Sequence, residues 1–248
     1  MHFRTGGAGD VTVVFEAGLG MSGVCWGLVA PGVDEFARTV VYDRAGYGRS
    51  TFDVAPRTLP RLASDLGVLL RSLDGPFVLV GHSWGGPIVR VLASRREFDV
   101  RGLVLVDPSD ELDVPPTAGR MRLAGPVTRT LAGLGIYRLA ARIGSALPDY
   151  AQFREECFSR RGARVYAAEV REFVPGLASL RAAPPSLGDL PVTILSAGAG
   201  PASLRAAHAA SVAAAGGRLV VADGAGHNLM FERPALVVEE IRRLVSRR

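Results

Sequence analysis

Short aliphatic and β-branched runs recur along the chain, with helically spaced stretches between them. The runs at 11–15, 39–42, 77–80, 103–106, 192–195 and 219–221 are almost entirely apolar, as strands buried on both faces must be. Between the second and third, Leu59, Leu62, Ala63, Leu66, Leu69, Leu70 and Leu73 recur at steps of three and four, which is one apolar face of a helix. This alternation predicts an α/β fold, a mostly parallel, doubly wound sheet with helices on both sides. It stops between about residues 111 and 188. That stretch reads as helical pieces punctuated by Pro115-Pro116, Gly125-Pro126, Pro148, Pro175 and Pro184-Pro185. Residues 1–110 and 189–248 are therefore expected to form one core, and residues 111–188 an inserted helical cap. Joined by proline-rich connections and burying one face only, the cap is expected to be more mobile than the sheet. A last helix should open at Pro234, a favoured first-turn residue.

Composition narrows the function. At 248 residues, 48% hydrophobic and 21% charged, the chain is an ordinary globular one, long enough for a single α/β domain with an insertion. All 29 basic residues are Arg against 24 acids, a net charge of +5. They are scattered except for Arg242, Arg243, Arg247 and Arg248, where cations suit the end of a terminal helix; no nucleic-acid partner is expected. Cys25 and Cys157 stand far apart, in neither a C-x-x-C nor a zinc spacing, and read as free buried thiols, with no metal site. The N-terminal residues lack a signal-peptide pattern, and no apolar run approaches 18 residues. A cytoplasmic protein without a membrane partner is the expectation; nothing sets the oligomeric state.

The strongest chemical signal is Gly81-His82-Ser83-Trp84-Gly85, a G-x-S-x-G placed directly after an apolar strand and before a helix-like run. That context is a nucleophile elbow, a strained turn that presents the serine above the sheet. A serine hydroxyl needs a base. Of four histidines, His2 is terminal, His82 is a spacer beside the elbow, and His208 lies on what reads as the solvated face of an alanine-rich helix. His227, in Gly224-Ala225-Gly226-His227-Asn228 just after the last apolar strand, is the one placed at the same sheet edge as Ser83.

Together the elbow, the insertion and the late histidine resemble the α/β-hydrolase superfamily over nearly the whole chain. Phe15-Glu16-Ala17-Gly18-Leu19-Gly20 is similar to that family's oxyanion loop, and Asp43-Arg44-Ala45-Gly46-Tyr47-Gly48-Arg49-Ser50 to its turn after the following strand. The resemblance implies Ser83 as nucleophile, His227 as base, and the backbone N–H groups of Leu19 and Trp84 as oxyanion donors. It implies hydrolysis of a small, apolar acyl substrate (an ester, lactone or thioester) through an acyl-enzyme, with no metal or organic cofactor. Two departures stand out. Ala17-Gly18 replaces the frequent His-Gly, and Ser196-Ala197-Gly198-Ala199-Gly200-Pro201, where many members place the triad acid, holds no carboxylate. Asp107 at the end of the strand after the elbow resembles the acid of members such as the haloalkane dehalogenases. Asp110 and the absence of any functional acid remain open, and Asp223 reads as a loop-shaping residue.

Two other readings stay open. Without an acid the fold could serve as a non-hydrolytic cyclase, cofactor-free oxygenase or binding scaffold. Gly18-Leu19-Gly20-Met21-Ser22-Gly23 is also a literal G-x-G-x-x-G with Asp43 about 20 residues on, as in a dinucleotide-binding oxidoreductase. Against it, Gly27 and Pro31-Gly32 interrupt the helix that a pyrophosphate site needs.

Overall fold

The computed structural model describes residues 1–113, 118–137 and 142–247; the proline pair Pro115-Pro116 and Arg248 lie outside them. Seven strands form one sheet: β1 (Phe3–Gly6), β2 (Thr12–Glu16), β3 (Arg38–Tyr42), β4 (Phe77–His82), β5 (Val100–Val106), β6 (Val192–Ala197) and β7 (Arg218–Ala222). Their spatial order is β1-β3-β2-β4-β5-β6-β7, parallel throughout except for β1, which runs antiparallel to β3. The six apolar runs are six of these strands, each within three residues of the expected bounds. β1 is different: Phe-Arg-Thr-Gly carries no strand pattern, and it is a strand because β3 offers an open edge, pairing Phe3 with Tyr42 and Thr5 with Val40.

Alternate side chains along each strand enter opposite layers. Val13, Phe15, Val78, Val80, Val104 and Val106 pack on one face, beneath α1 (Ala30–Asp34) and, near the C-terminus, α9 (Pro234–Val245). Val14, Leu79, Leu103, Leu105 and Ile194 pack on the other, beneath α2 (Leu59–Leu70), α3 (Gly85–Ser94) and α7 (Ala202–Ala215). The α2 stripe lies within this second layer, Leu59, Leu62, Ala63, Leu66, Leu69 and Leu70 all buried. The short α8 (Leu229–Glu232) precedes α9.

Between β5 and β6 run α4 (Ala118–Gly133), α5 (Tyr150–Cys157) and α6 (Arg160–Ala182). Neither Gly125-Pro126 nor Pro175 breaks this segment, since Pro126 lies inside α4 and Pro175 inside α6. A proline inside a helix costs about 3 kcal/mol or more. In α6 that is outweighed by a long buried face including Val165, Phe173, Leu177 and Leu180. α6 starts where Ser159 accepts a hydrogen bond from Gly162 N at 3.1 Å. Its C-terminal half lies against the elbow, Phe173 packing at a tilt on Trp84 with ring centroids 4.9 Å apart.

The sheet order reverses beside β2: the chain steps outward to β3 and then crosses back to β4. In an open α/β sheet the crevice beyond the carboxyl ends at such a reversal is where ligands bind. Here it lies between the loop at 17–22 and the turn at Ser83.

Leu66, fully buried on α2, tests the layer assignment. Leu66→Ala is expected to lower unfolding free energy by about 2–5 kcal/mol, read from the urea midpoint at unchanged m-value. A loss below about 0.5 kcal/mol would place Leu66 outside the core.

Candidate active site

Ser83 occupies the turn from β4 into α3 with φ +50°, a left-handed conformation that an L-residue adopts only when its surroundings impose it. They do so on three sides. Ser83 N donates to Val106 O at 3.1 Å, and Ser83 O accepts from Gly86 N and Ser109 N, each at 3.0 Å. A Cβ on Gly85 would stand 2.5 Å from Glu16 O, and one on Gly81 would stand 2.6 Å from Gly85 O. Any side chain at either position would push the strand and helix apart.

Asp107 follows β5 with φ +40°, which turns its carboxylate along the sheet edge. Oδ2 accepts from His227 Nδ1 at 2.6 Å and Oδ1 from Ala197 N at 2.8 Å. Burial by itself raises the pKa of this carboxyl, but the hydrogen bonds from His227 and Ala197 outweigh it and hold it below its ordinary value. With Nδ1–H directed at Asp107, the His227 lone pair is on Nε2, and the side chain is half exposed. The last residue of β6 thus contributes a backbone donor to the Asp107 carboxylate, while the loop that follows has no carboxylate of its own.

His82 is fully buried behind His227, with ring centroids 4.8 Å apart. Its Nε2 donates to His227 O at 3.1 Å, bracing the loop that carries His227. Burial, reinforced by the adjacent His227, lowers the His82 pKa to about 3, so the ring stays neutral and moves no proton near neutrality. Its Nδ1 edge packs against the oxyanion-like loop, where a Cβ on Gly18 would stand 2.6 Å away. Leu19 lies in the loop after β2 and Trp84 directly follows Ser83 at the start of α3, and neither backbone N–H has a hydrogen-bond partner among the described residues. Unpaired backbone donors are rare.

The remaining candidates lie elsewhere. Asp110 accepts from Leu112 N and from Ser211 Oγ at 2.7 Å, which ties the loop after β5 to α7. Asp223 is exposed. His208 is not on a solvated face: it is fully buried, with Nδ1 2.8 Å from Ser196 Oγ and Nε2 2.8 Å from Pro108 O. An alanine-rich helix gives no periodicity by which to tell its inner face. The glycine loop opens only a one-turn 3-10 helix (Gly23–Trp26), and Asp43 is engaged by Gly23 N and Arg49 N. The long phosphate-facing helix of a dinucleotide unit is therefore missing from its place. No group of residues suited to a metal ion occurs among the described residues, and none of their helices is long and apolar enough to cross a membrane.

A second cluster was not expected from the sequence. Arg44, Glu16 and Glu169 are buried together beneath the 17–22 loop, joined by Tyr42, Tyr47 and Arg57. Arg44 bonds Glu169 through Nε and Nη2 at 2.8 and 2.9 Å, and Glu16 through Nη1 at 2.6 Å. The signal available was charge at strand ends, Glu16 and Arg44, but Glu169 lies 125 positions away on α6.

Compared with known proteins, residues 13–240 match the profile of the alpha/beta hydrolase family. The chain is similar to the uncharacterized protein YqjL of Bacillus subtilis, 37% identical over 105 residues, 42% of each chain. It is also similar to lipase LipV of Mycobacterium tuberculosis, 38% identical over 111 residues, 44% of this chain and 42% of that one. The matches thus span about two fifths of these relatives' lengths. In structure the chain is similar to the enol-lactonase from Burkholderia xenovorans LB400, with a TM-score of 0.76 at 21% identity, covering 99% of this chain and 96% of that one.

The lowered carboxyl pKa has a consequence for stability. The contribution of the Asp107 carboxylate is present above the ordinary Asp value near about 4 and is lost as pH falls through the lower folded-state value. Thermal unfolding of wild type and Asp107→Asn is therefore expected to differ at pH 7 and to converge as pH drops below about 4. A difference that stays constant down to pH 3 would contradict the assignment.

Proposed function

The chain belongs to the alpha/beta hydrolase family, and we propose that it is a serine hydrolase cleaving a small, apolar ester, lactone or thioester through an acyl-enzyme. Ser83 Oγ attacks the acyl carbon while His227 Nε2 takes its proton. The carbonyl oxygen becomes an oxyanion held by Leu19 N–H and Trp84 N–H. The intermediate collapses, the C–O or C–S bond breaks, and His227 returns the proton to the leaving group. Water then repeats the sequence on the acyl-enzyme, releasing the acid and regenerating Ser83. Asp107 holds His227 in the tautomer that keeps Nε2 basic and stabilises the imidazolium formed in each half-reaction.

The observation that carries this reading is the 2.6 Å pair of Asp107 and His227, formed at the carboxyl ends of the strands, where Ser83 holds its left-handed turn. It pairs His227 with a carboxylate that the loop after β6 lacks, which supports hydrolysis over a non-hydrolytic scaffold. The lipase among the similar proteins belongs to the same reaction class by name. We assign residues 111–188 as the cap that selects the acyl group, because α6 packs directly on the elbow through Phe173 and Trp84.

An esterase series of increasing acyl chain length, run on wild type and Ser83→Ala, tests the proposal. Ser83→Ala is expected to remain folded and to lose about 10⁶ in kcat, and to resist the serine-directed phosphonate that labels wild type. Activity within tenfold of wild type would remove Ser83 as nucleophile. Asp107→Asn is expected to cost about 10⁴ in kcat through the wrong histidine tautomer, with Asp110→Asn and Asp223→Asn far milder. Equal losses in all three would move the acid away from Asp107.

A further inference from the structure

All five guanidinium N–H groups of Arg44 are engaged. Besides its bonds to Glu169 and Glu16, Nη1 donates to Ala17 O at 2.6 Å and Nη2 to Gly18 O at 2.8 Å. The second of these bears on the reaction. Gly18 C=O and Leu19 N–H belong to one peptide group, and in a planar trans peptide the two point in opposite directions. Drawing the Gly18 carbonyl down to the buried guanidinium aims Leu19 N–H the other way, toward the crevice, and the cation polarises the amide into a stronger donor. Something must hold that orientation, because a glycine on one side of a peptide leaves its plane free to rotate. Met21 N, 3.2 Å from Gly18 O, is the one other donor to this carbonyl among the described residues.

Arg44 is itself held by the helical segment. Glu169, fully buried on α6, takes two of its donors and also lies 3.4 Å from Gly20 N and 3.2 Å from Tyr47 Oη. One carboxylate from α6 thus grips both the arginine beneath the loop and an amide of the loop. Resting on the proposed hydrolase reading, we propose that Arg44 is a positioning residue that locks the Gly18–Leu19 peptide with its N–H toward the oxyanion, and that Glu169 makes α6 a fixed part of this device. α6 is then no detachable lid: moving it would withdraw Glu169 and release the peptide.

Arg44→Lys keeps the charge but offers three donors in place of five, too few for two carbonyls and two carboxylates. Per folded molecule, its kcat for Ser83-dependent ester hydrolysis is expected to fall about 10- to 100-fold, less than the loss of a whole oxyanion donor, with KM changed by less than about threefold. Amides of residues 17–22 are expected to exchange hydrogen about tenfold faster while those of β4 and β5 are unchanged. Glu169→Gln, which keeps an acceptor for Arg44, should hold more activity and loop protection than Glu169→Ala, and this pair decides the matter if Arg44→Lys does not fold. A kcat within twofold of wild type together with unaltered loop exchange would overturn the proposal. Wild-type protein lacking Ser83-dependent hydrolysis would instead overturn the hydrolase reading, and loop exchange alone would then decide whether Arg44 orders the peptide.

Discussion

The site depends on one strained turn. β4 must pass into α3 within two residues, and this holds Ser83 at φ +50° at a cost of about 1–3 kcal/mol. The strain persists because both flanking elements are locked in place: β4 lies in the middle of seven strands, and α3 buries Ile88, Val89 and Leu92 in the second layer. The turn cannot relax unless one of them moves. The same packing removes side chains at Gly81 and Gly85 and brings the β2 loop close enough for Glu16 O to touch the helix start. A second left-handed residue, Asp107 just after the neighbouring strand, is held by Leu195 O at 2.7 Å, and it redirects a carboxylate along the same edge.

Two electrostatic environments follow from this arrangement and they serve different ends. Around His227 the charge is half open to solvent, with one carboxylate, one imidazole edge and a neutral His82 behind. Beneath the loop, Arg44 is sealed with two carboxylates away from water. Removing one partner of such a buried pair costs about 3–5 kcal/mol, whereas replacing the whole set by apolar groups is often neutral. Stability is therefore a poor reason for its presence. Direction is a better one, since a guanidinium can fix the planes of two consecutive peptides at once, and no apolar side chain can.

The legible part of the chain was whatever repeats. Five of the six strands show as apolar runs because both faces of a parallel sheet are covered, so burial leaves no alternation to blur them; β7 is as apolar but lies at the sheet edge with only Ala222 buried. The α2 stripe shows because one face of a helix meets the core at every third or fourth residue. Ser83 and His227 were singled out as candidates from local context, a glycine-flanked turn and a loop after the last strand. What failed were inferences in which local preference met tertiary packing. Pro126 and Pro175 sit inside helices because interhelical burial outweighs a missing hydrogen bond, and His208 is buried on a helix whose alanines hide its inner side.

The sequence by itself determined the α/β layering and the elbow, since these rest on periodicity and on steric needs that a few neighbouring residues meet. Only the tertiary structure decided which acid faces His227, that Phe3–Gly6 is a strand, and that Glu169 meets Arg44 across 125 positions. The physical reason is the same in each case. A carboxylate's partner, an edge strand's pairing and a buried ion pair are settled by distances in space between segments far apart in the chain, and those distances exist only once the two core layers have packed.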